Sequence, residues 1–348
     1  MYPFKKHIIK IEANISVALK QLDELASDAI LFAVDDEERL VGSLTDGDVR
    51  RALLKNASLE LKVADLIQAN PRFLEKENYS LNDIVKFREN GFRVLPVLNG
   101  KREIVNVINL RRLRSYLPVD VVIMAGGKGS RLRPLTEDTP KPLLKVGEKA
   151  IIEHNIDRLI SFGIDDIWIS INYLGEQIES YFGDGSAKGV RIKYVWEKEA
   201  LGTIGAVKKI SDFCHEYVLV TNSDLLTNLD YENFFIDFIE KEADISVVSI
   251  PYVVDVPYAV LETNDGRIHS FKEKPSYTYY SNGGIYLMKK EVVNHIPEDK
   301  FYNATDLLQH LINQGDKVVT YPLRGYWLDI GKPEDFMQAQ EDIKHIKF

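Results

Sequence analysis

With 348 residues the chain is long enough for two domains, and 45% hydrophobic with 28% charged residues is the composition of a soluble globular protein. Its formal net charge of -9 excludes nucleic acid as the main partner, because a phosphate backbone attracts a basic surface; small phosphorylated ligands need only a few local cations. The single cysteine, Cys214, excludes an internal disulfide and fits a reducing cytosol.

The N-terminus, MYPFKKHIIKIEANIS, lacks the apolar run and small-residue cleavage site of a leader, and no apolar run approaches the ~20 residues that span a bilayer. A cytoplasmic protein without a membrane partner is expected. Residues 1–117 then contain an internal repeat. ILFAVDDEERLVGSLTDGDVRRALL starts at Ile30, and FRVLPVLNGKREIVNVINLRRLRSYL starts at Phe92. Each copy reads as a strand, a polar turn (Asp35-Asp36, Asn99-Gly100), a second strand and a helix. An amphipathic helix precedes each, marked by Val17, Leu22 and Leu25 in the first and by Leu81, Ile84, Val85 and Phe87 in the second, where Gly91 supplies a stop. The two halves are expected to pack their helices on one face of a shared sheet. Pro118 ends this part, since a helix does not run comfortably through proline.

Residues 118–348 alternate strand and helix. VDVVIMA is followed by a Gly-rich loop, a helix over 150–162, strand DDIWISINY, a helix near 175–182 and strand VRIKYVW. A helix after Leu201, strand EYVLVTN, a helix over 231–242 and strand ADISVVSIP follow. YAVLETNDGRIHSFKEKP reads as a hairpin turning at Asn264-Asp265-Gly266. The alternation predicts an α/β fold with a Rossmann-like, mixed but mostly parallel sheet, preceded by an α+β module. Ligands of such sheets bind beyond the carboxyl ends of the strands.

The residues that could carry chemistry fall there. In Ala125-Gly126-Gly127-Lys128-Gly129-Ser130-Arg131 the glycines let backbone N–H groups approach phosphate oxygens, and Arg131 can hold them by charge-assisted hydrogen bonds. The loop is neither a Walker A nor a dinucleotide fingerprint, whose third glycine position is Leu132 here; a plain tight turn with solvated basic residues is the alternative. Pro140 and Pro142 are expected to hold an extended backbone that aims Lys141, or to form a surface turn. Asp224, at a strand end, reads as a Mg²⁺ ligand or a helix N-cap. Asp329 lies between Leu328 and Ile330, so it needs a partner, either a metal or a salt bridge. Glu273 and Lys274 end a strand before Pro275; they reach a site or simply charge an edge. Asn282-Gly283-Gly284 starts another strand.

In this order the motifs resemble the sugar-1-phosphate nucleotidyltransferase family. The resemblance runs through Arg131-Leu132-Arg133-Pro134-Leu135-Thr136, Pro140-Lys141-Pro142-Leu143, Asp224, Glu273-Lys274-Pro275, Asn282-Gly283-Gly284-Ile285-Tyr286 and Trp327-Leu328-Asp329-Ile330-Gly331. It implies that a hexose-1-phosphate and a nucleoside triphosphate give a nucleotide-sugar and pyrophosphate. Arg131, Lys141, Asp224 and Asp329 would then be catalytic, the two aspartates holding Mg²⁺. Ala125, Gly126, Gly127, Gly129, Ser130, Glu197, Gly202 and Thr203 would bind the nucleotide. Glu273, Lys274 and Asn282 would bind the sugar phosphate. Glu197…Leu201-Gly202-Thr203 is similar to the mannose-1-phosphate guanylyltransferase-like members, which favours GTP, whereas the family's Tyr-Gly-Val-Val is Tyr258-Ala259-Val260-Leu261 here.

The N-terminal repeat resembles a CBS-domain pair, a regulatory module. Thr45 and Asp48 match its phosphate and ribose positions for an adenosine nucleotide; Asn106, Asn109 and Arg112 stand at the matching places of the second copy, without the carboxylate. The combination is similar to guanylyltransferases of GDP-amino sugar synthesis for legionaminic-type acids, which implies glucosamine-1-phosphate as acceptor. A homo-oligomer is the expected assembly.

Overall fold

The computed structural model describes residues 4–346. The repeat folds as two small units of one pattern. In the first, β1 (Ile8–Lys10), α1 (Ile15–Leu25), β2 (Ile30–Val34), β3 (Leu40–Thr45), α2 (Asp46–Leu53) and β4 (Gln68–Ala69) follow one another, with β1 parallel and β3 antiparallel to β2. In the second, β5 (Leu74–Glu75), α3 (Leu81–Glu89), β6 (Val94–Leu98) and β7 (Ile104–Asn109) repeat it, with β5 parallel and β7 antiparallel to β6. Thr45 with Asp48, and Ser80 with Asp83, close capping boxes that start α2 and α3 and satisfy otherwise orphaned backbone donors.

Two expectations fail here. The halves do not share a sheet: a four-stranded and a three-stranded sheet stay separate and meet through Phe32, Val34, Leu40, Val94, Leu98 and Val107. Nor does a helix follow β7. The Asn109 side chain accepts from the Arg111 N–H, its carbonyl accepts from Arg112 and Leu113, and the chain then leaves the turn. Arg114 N–H donates to the Ser161 carbonyl at 2.6 Å, and Tyr116 and Leu117 are buried. Docking of these side chains outweighs the helical propensity of the segment.

From there β8 (Val119–Met124), a small hairpin of β9 (Lys145–Val146) and β10 (Lys149–Ala150), α4 (Ile151–Ser161), β11 (Asp166–Ile171), α5 (Gly175–Phe182) and β12 (Arg191–Trp196) succeed one another. They are followed by β13 (Tyr217–Asn222), β14 (Leu225–Thr227), α6 (Tyr231–Glu240), β15 (Ile245–Asp255), β16 (Val260–Asn264) and β17 (Arg267–Lys272). The chain ends with β18 (Ser276–Lys289), α7 (Ala304–Gln314), β19 (Val318–Pro322), β20 (Trp327–Asp329) and α8 (Pro333–Asp342). The main sheet has seven strands in the order β12-β11-β8-β13-β18-β15-β19, parallel except for β18, which is antiparallel to both neighbours. β8 is buried at all six positions, as a central parallel strand should be. After Leu201 only a 3-10 turn, Gly205–Lys209, forms, because Ile204 and Gly205 donate instead to the Tyr302 carbonyl.

One apolar cluster runs through the junction at Pro118: Leu81, Ile84 and Leu95 of the N-terminal part join Tyr116, Ile156 and Phe162. Phe162 is 1% exposed, meets Tyr231 edge-on and lies under the Arg114 and Arg158 guanidiniums. β15 and β18 also run on beyond the sheet as a two-stranded ribbon, Pro251–Asp255 against Ser276–Tyr280, that carries the β16–β17 hairpin. Tyr252, Tyr258, Phe271, Tyr279 and Tyr280 are exposed along it. Among the described residues no helix is long and apolar enough to cross a membrane.

Phe162→Ala leaves a cavity at the junction and should lower stability by about 3–5 kcal/mol, read by urea denaturation; a loss below about 1 kcal/mol would show that the junction does not depend on this ring.

Candidate active site

The carboxyl ends of β8, β11, β12 and β13 open at one edge of the sheet, where the antiparallel β18 enters it at Asn282–Gly284; these residues lie within β18, which starts at Ser276, and do not begin a strand as expected. The Gly-rich loop leaves β8 at Ala125, whose N–H donates to the Ser170 carbonyl at 2.8 Å. A Cβ on Gly126 would stand 2.8 Å from Glu197 Oε1, and one on Gly129, where φ is +59, would stand 2.9 Å from the Lys141 Cβ. Both glycines are therefore required by close approach, not only by flexibility.

Lys141 is buried and forms an ion pair with Asp224. Its backbone is not extended as the two prolines suggest. Pro140 is extended, but Lys141–Leu143 closes a 3-10 turn in which Leu143 N–H donates to the Pro140 carbonyl at 2.8 Å. Asp224 caps no helix; it precedes β14, whose Leu225 pairs with Asp329 of β20, and the Ile330 N–H donates to the Asp224 carbonyl at 3.0 Å. That ladder sets the two aspartates side by side. Arg131 completes the group, its guanidinium 3.3–3.4 Å from where a Gly331 Cβ would be. Leu132, Leu144, Leu226 and Ile330 join one apolar cluster beneath, so the neighbours of Arg131 and Asp329 are anchored in the core.

Burial, then the charge of Asp224, push the Asp329 carboxyl above its ordinary range; Lys141 and Arg131 oppose the shift. Relative to the unfolded chain, the folded protein thus holds the Asp329 proton more tightly. The stability this lends is complete below the ordinary carboxylate range and is lost as pH rises through the raised value. Asp224 stands next to it, with Oδ1 buried and without a hydrogen-bond partner. This donor set fits a hard divalent cation, which takes one or two carboxylates and completes its shell with phosphate oxygens and water.

Beside the pair lies a cleft of ≈ 290 Å³ lined by residues that include Thr203, Asn222, Asn282, Tyr286, Asn303 and Asp329. Asn282 Oδ1 accepts from the Gly284 N–H and the Tyr286 hydroxyl, and Trp327 Nε1 donates to the Gly283 carbonyl at 2.9 Å. Glu197 is buried with both oxygens engaged: Ser170 donates its hydroxyl to Oε1 and the Leu201 N–H donates to Oε2. Gly202, with φ +80, is pressed on the Tyr302 carbonyl, and the Thr203 hydroxyl accepts from the Ala304 N–H at 2.9 Å. Gly127 and Ser130 are exposed on the loop.

Arg131, Lys141, Asp224, Asp329, Thr203 and Asn282 are thus brought to one mouth of the sheet. Glu273 and Lys274 are exposed at the end of the β16–β17 hairpin, just before the outer part of β18 that pairs with Pro251–Asp255. Sequence reasoning missed Ser170, Asn222 and Asn303, which carry no local motif. In the N-terminal part the Asp48 carboxylate accepts from the Thr45 N–H and hydroxyl and pairs with Arg51.

A glycine loop, two cations and two carboxylates at the carboxyl edge of such a sheet define a nucleotide-handling α/β protein. Residues 120–346 match the family described as nucleotidyl transferase, and the chain belongs to that family; residues 5–55 match the CBS domain. The chain is 34% identical to the UTP–glucose-1-phosphate uridylyltransferase of Synechocystis sp. over 251 residues, 65% of each chain. It is 32% identical over 230 residues to the D-glycero-alpha-D-manno-heptose 1-phosphate guanylyltransferase of Aneurinibacillus thermoaerophilus, covering 65% of this chain and 99% of that protein. Among solved structures, a Bacillus anthracis chain described as a glucose-1-phosphate thymidylyltransferase superposes with a TM-score of 0.53 at 26% identity, over 66% of this chain and 97% of its own.

Asp329→Asn removes the repulsion between the two aspartates. The metal-free variant should melt above the wild type at neutral pH and lose the rise in Tm that Mg²⁺ gives the wild type. A lower Tm with the Mg²⁺ response intact would contradict the pairing.

Proposed function

We propose that residues 118–348 form a catalytic domain that transfers a nucleotidyl group, GMP from GTP, to a hexose-1-phosphate, with glucosamine-1-phosphate the leading acceptor, releasing pyrophosphate. Residues 1–117 form a regulatory CBS pair in this reading. The observation that carries it is the meeting of Arg131, Lys141, Asp224 and Asp329 at one mouth of the sheet.

The chemistry needs placement and charge neutralisation more than covalent help. The backbone of Ala125–Ser130 wraps the triphosphate, with Glu197 bracing the loop from behind at Gly126. Arg131 holds the leaving pyrophosphate. Lys141, paired with Asp224, contacts the reacting phosphates. Asp224 and Asp329 would hold Mg²⁺, which would supply neutralisation of the phosphate charge. The middle of β18 and the N-terminal end of α7 hold the sugar through Asn282 and its neighbours. Glu273 binds the sugar hydroxyls and Lys274 the sugar phosphate in this reading.

GTP is favoured by Glu197…Leu201-Gly202-Thr203 and by the match that spans the heptose-phosphate guanylyltransferase almost end to end. A uridylyl or thymidylyl transfer is the second reading, supported by the Synechocystis and Bacillus relatives. Pyrophosphate release with Mg²⁺, measured for four nucleoside triphosphates against a panel of hexose-1-phosphates, decides. Turnover with GTP at least about 10-fold above the others, or about 1.4 kcal/mol, is expected. A preference for UTP or dTTP reassigns the base, and silence across the panel leaves a nucleotide-sugar sensor.

An adenosine nucleotide is proposed at Thr45 and Asp48. Calorimetry with AMP, ADP and ATP should give binding to the full chain that Asp48→Ala weakens about 10-fold, the loss of about 1.4 kcal/mol that one charge-assisted bond makes reasonable. No binding to the wild type, or the same affinity in the variant, would leave these residues as the cap of α2.

A further inference from the structure

At the opposite end of the sheet from the cleft, three strands begin around a second polar group. Asp120 of β8 is 0% exposed, and its Oδ2 accepts from the His215 N–H at 2.7 Å. Its Oδ1 is buried without a hydrogen-bond partner. Asp166 opens β11; its Oδ1 pairs with Arg191 and its Oδ2, also without a hydrogen-bond partner, is 3.5 Å from the Lys76 ammonium. Cys214, just before β13, is the one thiol of the chain. One oxygen of each aspartate and the Cys214 sulfur all lie within 4.8 Å of one another. His215 Nδ1 is 3.4 Å from Asp120 Oδ2, likewise buried and unpartnered.

A buried carboxylate with a bare oxygen aimed at a thiol is costly unless something positive joins it. Lys76 and Arg191 both face Asp166, and neither is paired with Asp120. Tyr116 and Asn106 donate to the neighbouring Asp165. We propose that Asp120, Asp166 and Cys214 bind a thiophilic divalent cation of the zinc type, with His215 or a water molecule as the fourth ligand. A sulfur, two carboxylates and an imidazole are zinc donors, whereas Mg²⁺ takes oxygen alone. Ligand atoms around tetrahedral zinc stand about 3.5 Å apart, so a small rotation of the exposed Cys214 closes the site. Open clefts of ≈ 520 and ≈ 410 Å³ both reach Cys214 and Lys76 and give an ion its path. The site joins β8, β11 and β13 where Lys76 of the N-terminal part docks, so the ion fastens that junction. It is independent of the phosphate chemistry proposed above.

The test titrates Co²⁺ into chelator-treated, full-length protein under saturating Mg²⁺, which occupies the hard Asp224–Asp329 pair. One equivalent should bind with a thiolate-to-cobalt charge-transfer band in the near ultraviolet, and Zn²⁺ should bleach it. Cys214→Ser, at an exposed position that tolerates the change, should lose the band and at least about 10-fold in affinity while keeping the wild-type far-ultraviolet spectrum. Asp120→Asn should weaken binding too if it folds; if not, Cys214→Ser decides alone. Asp224→Asn should leave the band intact. No band in the wild type, an unchanged affinity in Cys214→Ser, or loss of the band in Asp224→Asn would overturn the proposal.

Discussion

Two carboxylates held side by side at the edge of a sheet repel each other until a cation stands between them, and the cleft is built around that tension. Asp224 and Asp329 cannot separate, because Leu225 pairs with Asp329 and Ile330 donates to the Asp224 carbonyl. Lys141 pairs with Asp224 Oδ2 and leaves Oδ1 bare. A lysine that is already buried and already aimed at the place of a ligand loses little freedom when the ligand arrives. The same holds for the glycine loop, fixed from below by Leu132 and from behind by Glu197. Preorganisation of this kind costs folding stability and returns it as binding, the usual trade at a functional site.

The sheet serves both ends. Its parallel strands gather their carboxyl ends at the cleft, and the reversed strand β18 enters the sheet there midway along its length, which is how Asn282 and Gly284 come to lie beside Asn222. The opposite ends of the same strands gather Asp120, Asp166 and Cys214 against the N-terminal part. β8 spans the two, from Asp120 at one end to the Gly-rich loop at the other, and every side chain between is buried. The core that surrounds it takes in Leu81 and Ile84 of the N-terminal part, so the boundary visible in the sequence at Pro118 lies within shared packing.

What the sequence made legible follows from how local each signal is. The strands and helices around the sheet announce themselves by apolar runs and stripes, and the glycine loop by its composition. Arg131, Lys141, Asp224 and Asp329 stood out because each is a charged residue beside apolar ones at a strand end or proline turn. Ser170, Asn222 and Asn303 were invisible, since a lone polar residue in a strand or cap has meaning only once its partner across the sheet is known. The missing helix after β7 and the 3-10 turn after Leu201 show tertiary bonds, to Ser161 and Tyr302, defeating local propensity. Glu273 and Lys274 stood out as charged residues before Pro275, but where the hairpin that carries them lies in space has no local signal in the sequence. The two cations and two carboxylates were legible as residues, and their juxtaposition was implied by the family resemblance of the ordered motifs, not by any local signal.

The length of β18 has a mechanical side. Its fourteen residues form one unbroken strand whose outer half is hydrogen-bonded only to β15, while its inner half is clamped between β13 and β15. The change of support falls at Asn282–Gly284, beside a break in the β15 register between Val247 and Ser249. A slender beam fixed at one end bends most at its root. Anything that grips the aromatic outer half therefore turns the backbone at Asn282, making the floor of the cleft the fulcrum of the ribbon.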